Sequence, residues 1–317
     1  MKLLALLAAL LAALLLALDA PGVADPGSPR GVNVPTAIGV MSFNIRYGAA
    51  GDGPNHWEHR RGAVIDLIDR RGEDFVGLQE ALRFQIDEIA SGVPRYAFVG
   101  VGRDDGQDAG EFCAILYDTR TWKVDGEHQG TFWLSDTPEV VASTSWGNGI
   151  TRIATYARFE RVGPKKDEGE PKALWVFNTH FDHRSQPSRE RSAALVARRI
   201  AGRANPGEPV VLMGDFNAGE TNPAIAYLRG EADVQGERTP APLVDSFRIA
   251  NPGATDVGTF GGFDPAKTGG EKIDHVFIEP GASVLDAAIV RDPVPGDDAR
   301  APSDHFPVTA RLAWPSN

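Results

Sequence analysis

The sequence is poor in cysteine, in basic charge and in long apolar runs, and each shortage excludes a class of protein. Cys113 is the only cysteine in 317 residues, so no intramolecular disulfide and no cysteine zinc cluster can form. Lys and Arg number 32 against 43 Asp and Glu, and the resulting formal charge of -11 gives no general attraction to nucleic acid. A phosphate-bearing ligand would therefore need local help, most simply from a metal ion.

The one long apolar run lies at the N-terminus. Residues 2–18 join one Lys to sixteen consecutive Leu or Ala residues, and small residues follow up to Ala24. This pattern is typical of a secretory signal peptide, because a membrane-spanning helix needs about 20 apolar residues. We predict a signal peptide over 1–24, a Pro- and Gly-rich linker over 25–36, and export to the periplasm or the extracellular space. No stable membrane anchor is expected after cleavage, and an uncleaved anchor is the weaker alternative.

The rest of the chain, residues 37–317, alternates short apolar runs with amphipathic stretches. Apolar periodicity predicts helices over 57–71, 82–90 and 187–203, and a short helix after Pro223. Four strand-like segments between 112 and 179 predict antiparallel pairing. Units of α/β type at both ends with strands between them favour an α/β (α+β) fold in one domain, a four-layer α/β/β/α sandwich of two stacked mixed sheets flanked by helices. A doubly wound parallel sheet is the second choice.

Several apolar runs end in a polar residue that can bind a metal or a phosphate. These residues are Asn44, Glu80, His180, Asp215 with Asn217, and Asp274. In α/β proteins, functional sites are commonly placed where strands end at one edge of a sheet. Asp215 alone is more often a turn or cap residue than a catalyst, so the prediction of a site depends on the joint occurrence of these residues.

Six short motifs occur in a fixed order along the chain: FNIR (43–46), LQE (78–80), NTH (178–180), GDFN (214–217), ID (273–274) and SDH (303–305). In this combination the sequence resembles the endonuclease/exonuclease/phosphatase superfamily over about 37–314. The resemblance implies a metal-dependent hydrolase of phosphate esters, of phosphodiesterase or nuclease type, in which water attacks in line. The implied substrate is nucleic acid, a nucleotide, a phospholipid or a sugar phosphate, and no obligate protein partner is implied.

The resemblance also implies roles for individual side chains. Glu80 is expected to be the principal ligand of Mg²⁺, with Asn44 as a further ligand beside it, and Mn²⁺ is an acceptable substitute. Asp304 is expected at the metal or beside a neighbouring Asp-His pair. Asp215 is expected to orient or deprotonate the attacking water, and Asn217 to hold a phosphate oxygen.

The remaining expected roles belong to residues near the reacting phosphate. Asp274 and His305 resemble the Asp-His pair of the family, in which the carboxylate fixes the imidazole tautomer. His180 is expected to contact the scissile phosphate and to assist the leaving oxygen. Glu111 is a weaker candidate for orienting His180, and Arg152 is a weaker candidate for a phosphate contact. The alternative for both is a surface charge at the start of a strand.

Two other interpretations remain open. The string NTHFDH (178–183) resembles the H-x-H-x-D-H zinc motif of metallo-β-lactamase-like hydrolases, although Asn178 stands in place of its first histidine. That interpretation leaves LQE, GDFN and SDH without roles. The second alternative is a catalytically silent binding protein on the same scaffold.

Substrate selection is expected to come from loops that border the site. The candidate loops span 52–61, 102–108, 137–149 and 258–270. Trp57 and Trp146 are candidates for stacking on a base or a sugar, with burial under loops as the alternative. Further candidate phosphate contacts are Arg46, Arg60, Arg61 and Lys267.

Overall fold

The computed structural model describes residues 37–162, 170–297 and 299–314. The chain divides into two units, Met1–Val34 and Pro35–Asn317, and the first unit lies outside the described residues. The signal peptide over 1–24 and the linker over 25–36 also fall outside them and stay predictions, as does the assignment of 37–317 to one catalytic domain.

The described residues form twelve strands, five α-helices and one 3-10 helix. The strands are β1 (Ile38–Asn44), β2 (Phe75–Gln79), β3 (Tyr96–Val99), β4 (Ile115–Asp118), β5 (Trp122–Trp133), β6 (Ile153–Arg161), β7 (Ala173–His180), β8 (Val210–Asp215), β9 (Val244–Asp245), β10 (Asp274–Ile278), β11 (Ser283–Ile289) and β12 (Val308–Ala313). The helices are α1 (Trp57–Arg71), α2 (Arg83–Gly92), α3 (Gln186–Ala201), α4 (Pro223–Leu228) and α5 (Ser246–Ala250), and the 3-10 helix is Gly53–Asn55.

The strands form two mixed six-stranded sheets. One sheet has the order β11-β12-β1-β2-β4-β3 and the other has the order β5-β6-β7-β8-β10-β9. Each sheet contains one parallel pair near its centre, β1 with β2 and β7 with β8, while the other pairs are antiparallel. Every residue of these four central strands is buried, as expected for parallel strands that are covered on both faces.

The two sheets pack face to face, and helices cover their outer faces. In β1, Val40 belongs to the apolar cluster between the sheets, whereas the next residue, Met41, belongs to the cluster under α1 and α2. This alternation follows the two-residue period of a strand. On the other side, α3 packs on the second sheet through an apolar face that contains Val196 and Ile200. The predicted four-layer sandwich of two mixed sheets is confirmed.

The element boundaries differ from the sequence analysis in a few places. The helix predicted over 82–90 is Arg83–Gly92, and the helix predicted over 187–203 is Gln186–Ala201. β9 and α5 were not predicted, because they are two and five residues long and too short to show a periodic pattern. Within the ranges that the structure describes, no helix is both long enough and apolar enough to cross a bilayer.

Candidate active site

The register of the central strands brings three of the predicted side chains together. His180 ends β7 and lies opposite Asp215, which ends the parallel neighbour β8. Asp274 is the first residue of β10, which pairs with β8 in the antiparallel direction. Asp274 also lies opposite Asp215. Asp215 is therefore flanked by His180 on one side and by Asp274 on the other.

Asn44 connects carboxylates that belong to the two different sheets. Its Nδ2 donates to Oε1 of Glu80 at 3.1 Å and to Oδ2 of Asp215 at 3.0 Å. Its Oδ1 accepts the backbone N–H of Arg46 at 3.0 Å. The structure thus places Asn44 beside Glu80, with its amide NH₂ towards the carboxylates, and its role as a metal ligand stays a prediction.

Glu80 and Asp304 place two carboxylates around one guanidinium. Glu80 directly follows β2 in a left-handed conformation with φ of 57°, which is uncommon for a residue other than glycine. Its Oε2 accepts the backbone N–H of Tyr47 at 2.9 Å. Arg46 lies 3.9 Å from Glu80 and 3.7 Å from Asp304, but it also forms a two-pronged pair with Asp52 at 2.9 and 3.0 Å.

The pKa values of these two acids shift in opposite directions. Burial alone would raise the pKa of Glu80, but the charge of His305 and hydrogen bonds to the carboxylate lower it below its ordinary value. Burial and the charge of Glu80 raise the pKa of Asp304. The charged form of Glu80 is therefore favoured, whereas the charged form of Asp304 is disfavoured.

His305 and Asp274 form the predicted pair. The distance from Nδ1 of His305 to Oδ2 of Asp274 is 2.9 Å, and Nε2 of His305 lies 3.8 Å from Oδ2 of Asp215. Burial alone would lower the pKa of His305, but the charges of Asp274 and Asp215 raise it well above its ordinary value. Burial and the charge of Asp274 raise the pKa of Asp215 to about 7. The imidazolium of His305 is therefore held between two acids, with its Nε2–H on the side of Asp215.

His180 is a neutral imidazole in this arrangement. Its Nε2 lies 3.0 Å from Nδ2 of Asn217, which can only donate, so Nε2 accepts and the proton sits on Nδ1. Burial and the charge of Arg152 lower the pKa of His180 well below its ordinary value. Nδ1 lies 3.9 Å from Oε2 of Glu111, which is held by Arg103 at 2.7 Å. Glu111 thus lies beside His180, and its role in orienting that ring stays a prediction.

Asn217 uses both protons of its amide within the protein. One is directed to His180 and the other to the carbonyl oxygen of Phe181 at 3.1 Å. Its backbone N–H donates to Oδ1 of Asp215 at 2.8 Å. Asn217 can therefore donate to a phosphate oxygen, as predicted, only if one of these two side-chain hydrogen bonds breaks.

A single cavity of about 830 Å³ joins these groups. The predicted site residues in its lining are Glu80, Glu111, Arg152, His180, Asp215, Asn217, Asp304 and His305. Asn44 and Asp274 lie directly behind it, bonded to Asp215 and His305. Arg152 is 4% exposed, so it is not the surface charge of the alternative interpretation. Lining residues that the sequence analysis does not single out include Tyr47, Arg103, His183 and Glu271.

The loops contribute unequally to this cavity. The 258–270 loop supplies Phe260, Phe263 and Lys267, and the 102–108 loop supplies Arg103. Among the residues that the structure describes, none from 52–61 or 137–149 lines the cavity. The candidates placed there by the sequence analysis are engaged elsewhere.

These candidates have partners inside the fold. Trp57 is buried and donates to Glu88, and Trp146 donates to Asp136. Arg60 is buried and donates to backbone carbonyl oxygens, while Arg61 pairs with Glu88. These four residues are therefore not positioned to contact a substrate in the cavity.

The zinc interpretation fails at Asn178. This residue is fully buried between the sheets, where its Nδ2 donates to the carbonyl oxygens of Leu78 and Ala114 at 2.9 and 2.8 Å. Asp182 uses one carboxylate oxygen to accept the backbone N–H groups of Arg184 and Ser185. In the NTHFDH string, Asn178 and Asp182 therefore stabilise the end of a strand and the turn that follows it.

The donor set of the cavity suits a hard divalent cation. Across the described parts of the chain, one group of three acid or histidine side chains can hold an ion, namely Asp215, Asp274 and His305, whose ligand atoms lie within 4.8 Å of one another. A histidine must be neutral to bind a metal, whereas Asp274 and Asp215 keep His305 charged. The carboxylates of Glu80 and Asp304 line the same cavity and supply the oxygen ligands that Mg²⁺ prefers.

Comparison with known proteins identifies related sequences and folds. Residues 41–305 match the Endonuclease/Exonuclease/phosphatase family. A family protein from Bacteroides thetaiotaomicron is 31% identical with a TM-score of 0.75, over 89% of this chain and 99% of that chain. A mannosyl-6-phosphatase from the same organism is 31% identical with a TM-score of 0.74, over 87% of this chain and 99% of that chain.

A viral relative is similar over a shorter stretch. An uncharacterized protein of Acanthamoeba polyphaga mimivirus is 28% identical over 168 residues, which make up 51% of this chain and 59% of that protein. The chain thus spans less than two thirds of the length of the curated relative that it matches.

Proposed function

This chain belongs to the Endonuclease/Exonuclease/phosphatase family, and from that premise we propose that it is a divalent-metal-dependent phosphoesterase that acts on a sugar phosphate. The observation that carries the proposal is the meeting of Glu80, Asp215, Asp304 and His305 in one cavity. The similarity to a mannosyl-6-phosphatase supports a sugar phosphate as the substrate. The formal charge of -11 and the absence of a basic stripe in the sequence favour a small substrate over a nucleic acid.

Mg²⁺ is the proposed cofactor, with Mn²⁺ as a substitute, and Glu80 and Asp304 are the proposed ligands. When bound, such an ion neutralises phosphate charge and stabilises the charge that develops on ester oxygens. The acids fit this role because Glu80 and Asp304 present carboxylate oxygens to the same cavity. Asn44 holds Glu80 and Asp215 at a fixed separation by donating to both.

Asp215 is the proposed base for the attacking water. Asn44 donates to its Oδ2 and the backbone of Asn217 donates to its Oδ1, so the carboxylate has a fixed orientation. Burial raises its pKa to about 7, which suits proton acceptance near neutral pH. Fixed orientation matters because an in-line attack tolerates little misplacement of the nucleophile.

His305 and His180 are the proposed groups at the phosphate and the leaving oxygen. The Nε2–H of His305 is a charged donor that is oriented by Asp274, and it can stabilise a phosphate oxygen as negative charge builds. His180 is held by Asn217 and lies beside Glu111. Arg152 adds a buried positive charge to the same wall of the cavity.

A substrate panel tests the proposal. Mannose 6-phosphate, bis(p-nitrophenyl) phosphate, plasmid DNA, RNA and sphingomyelin are each incubated with Mg²⁺, with Mn²⁺ or with EDTA. We expect phosphate release from the sugar phosphate, its loss in EDTA and its recovery when Mg²⁺ is restored. Faster cleavage of the diester or of DNA would support the phosphodiesterase or nuclease expected from the motifs. Turnover that is unaffected by EDTA would contradict the metal role.

Two variants separate metal binding from proton transfer. Glu80→Gln is expected to weaken Mg²⁺ binding in calorimetry and to lower kcat by about 10²-fold or more, whereas Asp215→Asn is expected to lower kcat by about 10²- to 10⁴-fold while Mg²⁺ still binds. Asp66→Asn, on the exposed face of α1, is the control.

Loss of Mg²⁺ binding in Asp215→Asn but not in Glu80→Gln would move the ion to the Asp215, Asp274 and His305 group. Full activity in both variants would overturn the site assignment, and substrate binding without any turnover in the unaltered protein would favour a silent binding protein.

A further inference from the structure

His183 lines the cavity but has no part in the proposed chemistry. It lies three residues beyond His180, past the end of β7, and its side chain is exposed on the cavity wall that also carries His180 and Asp215. The cavity therefore holds a third imidazole besides His180 and His305.

The neighbour of His183 fixes which ring nitrogen carries the proton. Nη2 of Arg152 lies 2.9 Å from Nδ1 of His183. A guanidinium has no acceptor, so Nδ1 accepts this hydrogen bond and the proton of the neutral ring sits on Nε2. Partial burial of the ring and the charge of Arg152 lower the pKa of His183, which favours the neutral ring. In the part of the chain that the structure describes, no residue bonds to this Nε2–H.

The side chains around His183 are themselves held in place. Arg152 is 4% exposed, and its Nε lies 3.9 Å from Oδ2 of Asp182. Asp182 Oδ1 accepts the backbone N–H groups of Arg184 at 2.8 Å and Ser185 at 2.6 Å, which fixes the turn that carries His183. The Nε2–H donor is thus oriented before any ligand arrives, and a preoriented donor loses little entropy on binding.

The chemistry of this donor differs from that of the phosphate-binding groups. Phosphate oxygens are best met by cations, and His305 and Arg152 supply positive charge to the cavity. A neutral N–H suits an uncharged oxygen such as a hydroxyl group. Glu271, an acceptor for hydroxyl protons, and the 44% exposed ring of Phe260, an apolar surface, line the same cavity. A neutral donor, a carboxylate and an apolar ring together match a polyhydroxylated leaving group.

We propose that His183 is a specificity-determining residue that donates a hydrogen bond from Nε2 to a hydroxyl oxygen of the sugar portion of the substrate. This inference rests on the proposed function and adds to it the residue that recognises the leaving group. Loss of one neutral hydrogen bond to the substrate corresponds to roughly a 3- to 10-fold change in an equilibrium or rate constant.

The test compares two substrates that share a phosphate monoester but differ in the leaving group. Mannose 6-phosphate carries hydroxyl groups, and p-nitrophenyl phosphate carries none. In His183→Ala we expect kcat/KM for the sugar phosphate to fall roughly 3- to 10-fold, mainly through KM, with less than a twofold change for p-nitrophenyl phosphate. His183→Gln retains a neutral N–H donor and is expected to recover part of the loss. Arg184→Ala is the matched control, because this neighbour is exposed and is absent from the cavity lining.

The outcomes separate this inference from the function on which it rests. An equal fall for both substrates would overturn the inference, because His183 would then act on the phosphate or through Arg152. No change for either substrate would also overturn it. If the unaltered protein hydrolyses p-nitrophenyl phosphate but no sugar phosphate, the inference fails while phosphoesterase activity stands. If it hydrolyses neither compound nor any diester with Mg²⁺ present, the proposed function itself fails.

Discussion

Lys272 is a fully buried lysine close behind the candidate active site. Its Nζ lies 2.5 Å from Oδ2 of Asp245 and 2.6 Å from Nδ1 of His275. Nε2 of His275 lies 3.0 Å from the carbonyl oxygen of Ala218, to which it donates. Burial alone would raise the pKa of Asp245, but the charge of Lys272 holds it well below its ordinary value. Because Ala218 and His275 each follow a site residue in the chain, this cluster supports the strand ends that carry the site.

Removing the lysine leaves a buried carboxylate without its cation. We predict that Lys272→Met lowers the free energy of unfolding by about 3–5 kcal/mol, as measured by urea denaturation, because an unpaired charge is costly in the interior. The double variant Lys272→Met with Asp245→Asn removes the charge that needed a partner and is expected to recover part of the loss. A single-variant effect below about 1 kcal/mol, or a double variant that is less stable than the single one, would contradict this account.

Individual candidate site residues can be predicted from short sequence motifs, but the hydrogen bonds that their side chains form cannot. Glu80, Asp215 and His305 follow from LQE, GDFN and SDH. The donor role of Asn44 depends on Asp215, which lies 171 positions away in the sequence. The tautomer of His183 depends likewise on Arg152, 31 positions away. A side chain that both donates and accepts takes its state from neighbours that only the fold brings near it.

The connection from α1 to β2 contains a buried acid that packs against the first sheet. α1 ends at Arg71 and is capped by Gly72, whose φ of 61° favours glycine, and Glu73 follows. The carboxylate of Glu73 packs over Gly39 of β1 so closely that a Cβ at Gly39 would lie 1.9 Å from Oε2. Burial raises the pKa of Glu73 to about 7, although the charge of Arg311 opposes the rise.

This acid predicts a pH-dependent stability. The pKa of Glu73 is 4.5 in the unfolded chain and about 7 in the folded chain. Its contribution to the free energy of unfolding is therefore fully present below pH 4.5 and is lost as the pH rises through 7. We predict that the free energy of unfolding of Glu73→Gln, relative to that of the unaltered protein, rises by about 2–3 kcal/mol when the pH is raised from 5 to 8. Denaturant unfolding at both pH values measures this change. Glu58→Gln, exposed in the first turn of α1, serves as the control. Parallel stability curves for Glu73→Gln and the unaltered protein would show that Glu73 does not carry this effect.

At the scale of elements, prediction succeeds where periodicity is long. α1 has the predicted bounds because an apolar stripe runs through its fifteen residues. α5 spans five residues, and its start is set by Asp245, which accepts the backbone N–H groups of Phe247 and Arg248. A cap of this kind is visible in the sequence only when the helix that follows is long enough to be recognised.

At the scale of the whole molecule, the cysteine and the N-terminal apolar run are relevant to the compartment in which the protein functions. Cys113 is 2% exposed, and burial raises the pKa of its thiol to about 12. Such a thiol forms little of the reactive thiolate, so an oxidising compartment would leave it unchanged. The proposal of export still depends on the sixteen Leu or Ala residues near the N-terminus, which precede the described residues.

We predict that the chain, expressed in a bacterium from Met1, is found outside the cytoplasm with residues up to about Ala24 removed. The physical reason is that the apolar run is long enough for recognition by the export machinery, but it falls short of the roughly 20 residues that span a bilayer stably. Intact-mass spectrometry of the cell fractions provides the measurement. Leu11→Arg interrupts the apolar run and is expected to leave the full-length chain in the cytoplasm. Full-length chain in the membrane fraction would instead establish an uncleaved anchor, and full-length chain that stays in the cytoplasm without the substitution would refute export.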